Sequence, residues 1–128
     1  MALLLDTNIV VALVQQQIDE LSSAVRTEFV TGQGRRYVSA VSLWEMAIKF
    51  RVGKLVLNVP PAELPGVLGR AGIGLISITV GHVLAELDPP PATRDPFDRL
   101  LLAQCAIDGL KLLTTDRALS THPLSAIG

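Results

Sequence analysis

The chain has 128 residues, of which 49% are hydrophobic and 18% are charged, and its formal net charge is −1. This length and composition predict one globular domain, residues 1–128, with a single hydrophobic core. The near-neutral charge excludes a global basic field, so nucleic-acid binding would require a local patch. The chain reaches Asp6 after a few apolar residues and no basic leader, which predicts neither a signal peptide nor a membrane span. A single cysteine gives no sign of an oxidising compartment, and we expect a cytoplasmic protein.

Short apolar runs alternate with helical patterns along the whole sequence. The apolar runs predict strands at 3–5, 37–40, 73–78 and 111–114, and a final edge strand at 124–127. Helices are predicted at 9–14, 18–31, 42–51, 61–71 and 80–87, then from Asp95 onward, and as a short turn from Asp116. Gly32 and Gly34 should end the second helix. The alternation predicts an α/β fold, a three-layer α/β/α sandwich with a central parallel sheet.

The helix that begins near Asp95 has the strongest sequence pattern. Asp95 is at the N-cap position, Pro96 at the first helical position and Asp98 at the third. Residues 100–107 are then almost uninterruptedly apolar, and a helix that is apolar on nearly every side is buried. Two carboxylates are therefore expected at the start of a buried helix. Cys105, inside this run, should behave as a small buried hydrophobic residue.

The helix predicted after the second strand opens with Ser42-Leu43-Trp44-Glu45, which has the Ser-x-x-Glu form of a capping box. This pattern places Glu45 on the first turn. The apolar side chains take two faces, Trp44 and Ile48 on one, and Leu43, Ala47 and Phe50 on the other. One face should pack inward and the other should meet a partner, unless residues 55–71 fold over the second face.

Four acids are expected to meet at one edge of the sheet: Asp6, Glu45, Asp98 and Asp116. Asp6 and Asp116 directly follow strands, whereas Glu45 and Asp98 lie on the first turns of helices. Strand C-termini and helix N-termini share the carboxyl edge of a parallel sheet, where active crevices lie. Each acid alone is explained by capping or by the helix dipole. Four together repel one another, and a bound cation would remove that conflict.

Carboxylate ligands without histidine or cysteine predict Mg²⁺ or Mn²⁺ rather than zinc. Thr7, Asn8, Thr114 and Thr115 are nearby oxygen donors. His82 and His122 have no ligand spacing, and we expect both to be structural or surface residues. No nucleophile elbow and no glycine-rich phosphate loop is present, so catalysis would rely on water activated by metal.

Four segments, "LLLDTN", "SLWEMAIK", "RDPFDRLLLAQ" and "LLTTD", follow one another in this order and together resemble a PIN domain. More narrowly, they resemble the VapC-type toxins of bacterial toxin–antitoxin pairs, over essentially the whole chain. The four acids of the family fall on Asp6, Glu45, Asp98 and Asp116. Family members often carry a histidine just before the Arg-Asp-Pro-Phe-Asp run, where this chain has Thr93. Asp95 matches the motif, and capping, support of a ligand and metal binding all stay open for it.

The resemblance implies a Mg²⁺- or Mn²⁺-dependent endoribonuclease that cuts single-stranded or looped RNA such as tRNA or mRNA. It also implies a homodimer and inhibition by a small VapB-type antitoxin. The basic residues available to hold an RNA backbone are Lys49, Arg51, Arg94, Arg99 and Arg117. For each of these, a solvated surface charge or a salt bridge to an acid is an equally good interpretation.

Three other functions fit parts of the pattern. An acid-edge phosphohydrolase needs a second Asp two residues after the first, where this chain has Asn8. A receiver-like domain needs a phosphoacceptor Asp after the third strand, where Thr79 stands. An inactive PIN-fold binding module would most simply have lost an acid, and all four are present.

Overall fold

The computed structural model describes residues 2–31 and 34–126. Its four strands are β1 (Leu3–Leu5), β2 (Arg36–Ser39), β3 (Gly74–Ile76) and β4 (Lys111–Leu113). The α-helices within these residues are α1 (Thr7–Val14), α2 (Ser23–Thr31), α3 (Ala40–Arg51), α4 (Leu64–Arg70), α5 (Val80–Leu84), α6 (Pro96–Asp108) and α7 (Arg117–Ser120). Single 3₁₀ turns lie at Ile18–Glu20 and Pro61–Glu63. Nowhere in 2–31 or 34–126 is a helix long and apolar enough to cross a membrane.

The strands form one sheet in the order β3-β2-β1-β4, and all neighbouring pairs are parallel. Strand β1 is flanked on both sides, with Leu4 opposite Tyr37 in β2 and opposite Leu112 in β4. All three residues of β1 are buried, as expected for a central parallel strand covered on both faces. The chain therefore leaves the middle of the sheet directly at Asp6.

The core lies in two layers, one on each face of the sheet. Leu3 and Leu5 pack in one cluster, with side chains from α1, α2, α3 and α4, and Leu4 packs in the other, with side chains from α3, α6 and α7. This alternation follows from the two-residue period of a strand. The predicted three-layer α/β/α sandwich is therefore confirmed. Cys105 is 1% exposed in the second layer, and burial raises the pKa of its thiol to about 12. The thiol therefore stays protonated and acts as a buried apolar side chain.

Helix α6 begins where the sequence predicts. The Oδ1 atom of Asp95 accepts a hydrogen bond from the backbone N–H of Phe97 at 2.8 Å, and Pro96 is the first helical residue. The buried face then runs from Leu101 to Cys105. The helix ends at Gly109, whose φ of 70° is the left-handed conformation that favours glycine at this position. Asp98 is thereby fixed on the first turn of a helix anchored in the core.

The predicted capping box at Ser42 is wrong. The N-cap is Ser39, whose Oγ accepts from the backbone N–H of Val41 at 3.0 Å, and α3 follows β2 with no intervening loop. Ser42 is a buried residue inside the helix, and its Oγ accepts from the hydroxyl of Thr7 at 3.0 Å. Glu45 consequently lies on the second turn of α3. Serine is favoured at N-caps, so both residues are candidates, and the end of β2 decides for Ser39 although only Ser42 has the Ser-x-x-Glu pattern.

Three further elements differ from the sequence prediction by more than a shift of their ends by one or two residues. Residues 18–31 are not one helix, because the chain is extended at Leu21 and Ser22 Oγ accepts the Val25 N–H to start a new helix. The helix predicted over 80–87 ends at Leu84. The edge strand predicted over 124–127 is reduced, among described residues, to one bridge between Leu112 and Ser125. Gly32 and the last residue of that predicted strand lie outside the described residues.

Helix α3 does present two apolar faces, and the chain covers one of them. Leu43 packs in the first core layer together with Leu55, Leu57 and Leu64, so residues 55–71 fold over this face. Trp44 on the other face remains 59% exposed, with its ring edge-on to Phe97 at a centroid distance of 5.4 Å. An internal cover therefore explains the Leu43 face and leaves the Trp44 face open.

Candidate active site

Asp6 lies at the carboxyl end of the central strand and is 4% exposed. It caps α1, with Oδ1 accepting from the backbone N–H of Thr7 at 2.8 Å. Its Oδ2 accepts from the hydroxyl of Thr114 at 2.6 Å, a contact that joins the ends of β1 and β4. Burial raises the pKa of Asp6, and the charges of Glu45 and Asp116 raise it further, against these two hydrogen bonds. Such a carboxyl is held in place but ionises reluctantly.

Asp98 reaches the same edge from the first turn of α6. Burial raises its pKa to about 6, and the charges of Asp95, Asp6 and Asp116 add to the effect. The hydroxyl of Thr93 opposes the shift by donating to Asp98 Oδ2 at 3.0 Å. Since the charges of Asp6 and Asp116 act on Asp98, these three acids form one electrostatic group.

Asp116 and Asp95 occupy matching positions before two helices. Asp116 caps α7 through Oδ1 and the Ala118 N–H at 2.8 Å, as Asp95 caps α6. Asp116 is half-buried and Asp95 is exposed. Of the roles left open for Asp95, capping is directly visible, and its charge also acts on Asp98.

Glu45 enters the group from the second turn of α3, and its charge acts on Asp6. The side chain is also paired with Lys49, one turn further along, at 3.0 Å. For Lys49, the sequence left RNA contact and a salt bridge to an acid as equal alternatives. The structure shows the salt bridge. An i,i+4 pair of this kind contributes a few tenths of a kcal/mol to an exposed helix, about 0.3–0.5.

The other basic candidates, Arg51, Arg94, Arg99 and Arg117, are exposed. Within residues 2–31 and 34–126 none of the four forms a salt bridge to an acid. Arg99 and Arg117 directly follow Asp98 and Asp116 in sequence, and Arg94 directly precedes Asp95. They are therefore available to a polyanion that approaches the carboxyl edge.

The histidines are structural, as predicted. His82 is 3% exposed, its Nδ1 accepts from the Thr79 N–H at 3.0 Å, and its Nε2 contacts Asp108 at 3.0 Å. His122 bonds the carbonyl of Pro89 at 2.8 Å. Each ring therefore ties a short helix or a loop to the body of the fold.

The donor set suits a hard divalent cation, because every candidate ligand is a carboxylate supported by hydroxyl groups. In the described residues, no three acidic, histidine or cysteine side chains are already arranged as a cage around an ion. Burial and the neighbouring acids nevertheless raise the pKa values of Asp6 and Asp98, and no basic side chain of the described residues is among the groups that lower them. The residues present therefore fit Mg²⁺ or Mn²⁺ in chemistry, with side-chain adjustment needed to enclose it.

The sequence predicts Thr114 only as a possible oxygen ligand and predicts no role for Thr93. Each hydroxyl contacts one acid of the group. The signal available in the sequence was a repeated Thr-x-Asp tripeptide, at 93–95 and at 114–116.

The fold and this edge define a parallel α/β domain with an acidic site beyond the strand ends. A family model described as "PIN domain" matches residues 3–123, and the chain belongs to that family. PIN domains are typically nucleases. No curated protein matches this sequence.

Two solved structures share the fold across nearly the full length of both chains. A chain of VapBC2 from Rickettsia felis, bound to a DNA fragment from their promoter, is 17% identical with a TM-score of 0.63, covering 100% of this chain and 98% of that one. A chain of a toxin–antitoxin complex from Klebsiella pneumoniae is 15% identical with a TM-score of 0.61, covering 96% and 94%.

In metal-free protein, the free energy of unfolding should fall as pH rises between the ordinary Asp value of 3.8 and about 6. In that interval folded Asp98 holds a proton that the unfolded chain has released, so its contribution to stability is lost with rising pH. Urea unfolding across this interval, in EDTA, should show a weaker pH dependence for Asp98→Asn. The exposed Asp19→Asn serves as the matched control. A full pH dependence in Asp98→Asn would show that this carboxyl does not titrate as described.

Proposed function

We propose that this protein is a Mg²⁺- or Mn²⁺-dependent endoribonuclease, a VapC-type toxin acting in the cytoplasm and neutralised by a VapB-type antitoxin. The observation that carries the proposal is the electrostatic group of Asp6, Asp98 and Asp116, joined by Glu45, at the carboxyl edge of the sheet. Burying mutually repelling carboxylates is costly unless they serve a cation. Membership of the PIN domain family supports the same conclusion.

Asp6, Glu45, Asp98 and Asp116 are the proposed metal ligands and catalytic acids of the site. A divalent ion held there would supply an activated water and stabilise the leaving oxygen of a phosphodiester. Thr114 and Thr93 orient the carboxylates of Asp6 and Asp98 through their hydroxyl protons. The capping bonds of Asp6 and Asp116 fix these acids relative to the helix starts.

The substrate backbone would be held by Arg94, Arg99 and Arg117, and more distantly by Arg51. These four arginines are exposed, and Arg94, Arg99 and Arg117 are close in sequence to the acids of the site. A guanidinium matches the geometry of a phosphate and can donate two hydrogen bonds to it. Lys49 is a weaker candidate, since its ammonium is engaged by Glu45. A single-stranded or looped RNA, tRNA or mRNA, is the proposed substrate.

Asp98→Asn and Asp6→Asn should each reduce RNA cleavage more than about 100-fold, beyond the 10–100-fold typical of residues that only support a ligand. Both changes remove ligand charge at nearly constant shape. Cleavage of purified RNA should require Mg²⁺ or Mn²⁺, stop in EDTA, and gain little from Ca²⁺, which favours irregular, higher coordination. Asp19→Asn is the matched control and should cleave normally.

Undiminished cleavage in excess EDTA, or by folded Asp98→Asn, would contradict the metal mechanism. Turnover of a small phosphate monoester with no RNA cleavage would favour the alternative of an acid-edge phosphohydrolase. Binding of RNA or antitoxin with no cleavage under any metal would favour an inactive PIN-fold binding module.

Partner binding is proposed for the open Trp44 face of α3. Trp44 lies beside an apolar groove of about 380 Å³ lined by Ala40, Val41, Trp44, Ile78, Val83 and Leu100. Exposed aromatic and aliphatic groups of this kind mark interaction surfaces. The two structural neighbours are chains of toxin–antitoxin complexes. We propose that the chain alone is a homodimer and that it forms a larger complex with its antitoxin.

Trp44→Ala should weaken these assemblies by about 2 kcal/mol or more, the range for a tryptophan at the centre of an interface. Light scattering of the chain alone, and titration with the product of the neighbouring gene, measure the two effects. Val56→Ala, an exposed aliphatic change outside the groove, should have no effect. A chain that is monomeric at high concentration and binds that product equally well after Trp44→Ala would contradict the proposal.

A further inference from the structure

The same three-residue turn occurs twice near the carboxyl edge of the sheet. In Thr93-Arg94-Asp95 and in Thr114-Thr115-Asp116, the threonine hydroxyl accepts from the backbone N–H of the aspartate, at 3.1 Å and 2.9 Å. In both turns that aspartate then caps the following helix at 2.8 Å. The two turns thus hold each threonine in the same way relative to a helix start.

The hydrogen bond from the aspartate N–H determines how each threonine hydroxyl can use its own proton. A hydroxyl that accepts from a backbone N–H still has its own proton to donate, and an ionised carboxylate can only accept. Thr93 donates to Asp98 Oδ2 at 3.0 Å, and Thr114 donates to Asp6 Oδ2 at 2.6 Å. Each turn therefore directs one O–H at one acid of the proposed metal site.

The hydrogen bond from Thr93 gives the two carboxylate oxygens of Asp98 different environments. Oδ2 is engaged by Thr93, whereas Oδ1 has no hydrogen-bond donor in the described part of the chain. A carboxylate held through one oxygen is restrained in orientation and keeps the other oxygen for a ligand. Asp6 differs, because Thr7 donates to its Oδ1. Asp98 thus depends on a single side-chain contact for its position.

We propose that Thr93 is a positioning residue for divalent-cation binding, its hydroxyl holding Asp98 so that Oδ1 is presented to the ion. The proposal rests on the metal site proposed above. The contribution of Thr93 to affinity should resemble that of other groups that orient a metal ligand, whose removal typically weakens binding 10–100-fold.

Mn²⁺ binding to the purified protein, measured by electron paramagnetic resonance without RNA, tests this role. Thr93→Val should bind Mn²⁺ about tenfold more weakly, and Thr93→Ser, which keeps the hydroxyl, should bind as the parent does. Thr121→Val makes the same chemical change at an exposed residue and should leave affinity unchanged. If Thr93→Val fails to fold, Thr93→Ala carries the same expectation.

A second arm separates positioning from loop stability. In an Asp98→Asn background, Thr93→Val should cause no further loss of Mn²⁺ affinity, because the carboxylate it orients is gone. If Thr93→Val reduced Mn²⁺ affinity in this background as much as in the parent protein, Thr93 would stabilise the loop and the proposal would be overturned. Weak Mn²⁺ binding by Thr93→Ser would overturn it as well. Mn²⁺ binding by the parent that falls in Asp98→Asn but not in Thr93→Val would overturn only the role of Thr93. No Mn²⁺ binding by the parent would overturn the metal site itself.

Discussion

The placement of a carboxylate at the end of the central, fully buried strand is the constraint on which the rest of the site depends. Asp6 is 4% exposed, and burial disfavours its charged form. Its two oxygens are stabilised by the Thr7 N–H and the Thr114 hydroxyl, so α1 and the end of β4 are both tied to it. Without these bonds the charge would be costly to bury, and with them it is fixed beside Asp98 and Asp116.

The acids of the proposed metal site also have structural roles. Asp6 and Asp116 cap helices, and Asp98 lies on the first turn of one, which are positions where a negative charge stabilises a helix. Parallel topology brings these helix starts to one edge. Capping or the helix dipole therefore explains each of these three acids singly. In the folded chain, burial raises the pKa of Asp98 to about 6, and the charges of Asp95, Asp6 and Asp116 add to that effect. A divalent cation would satisfy the charges that capping leaves uncompensated.

Much of this arrangement could be predicted from local patterns. The buried run at β1, the Asp95 cap and the apolar length of α6 are each encoded within a few residues. The start of α3 could not be, because the capping-box pattern favours Ser42, whereas the end of β2 selects Ser39 as the N-cap. The contact from Thr114 to Asp6 spans 108 residues and is set by strand order rather than by sequence spacing. The salt bridge from Glu45 to Lys49 was within reach of prediction, since its spacing is i,i+4.

The measurement that tests the central claim most directly is anomalous X-ray diffraction from crystals grown with Mn²⁺, since it locates the ion without relying on activity. Our account predicts an anomalous peak at the carboxyl edge of the sheet, within coordination distance of Asp6, Asp98 and Asp116. A well-ordered edge with no peak, or a peak held by other residues while these acids stay unliganded, would contradict it.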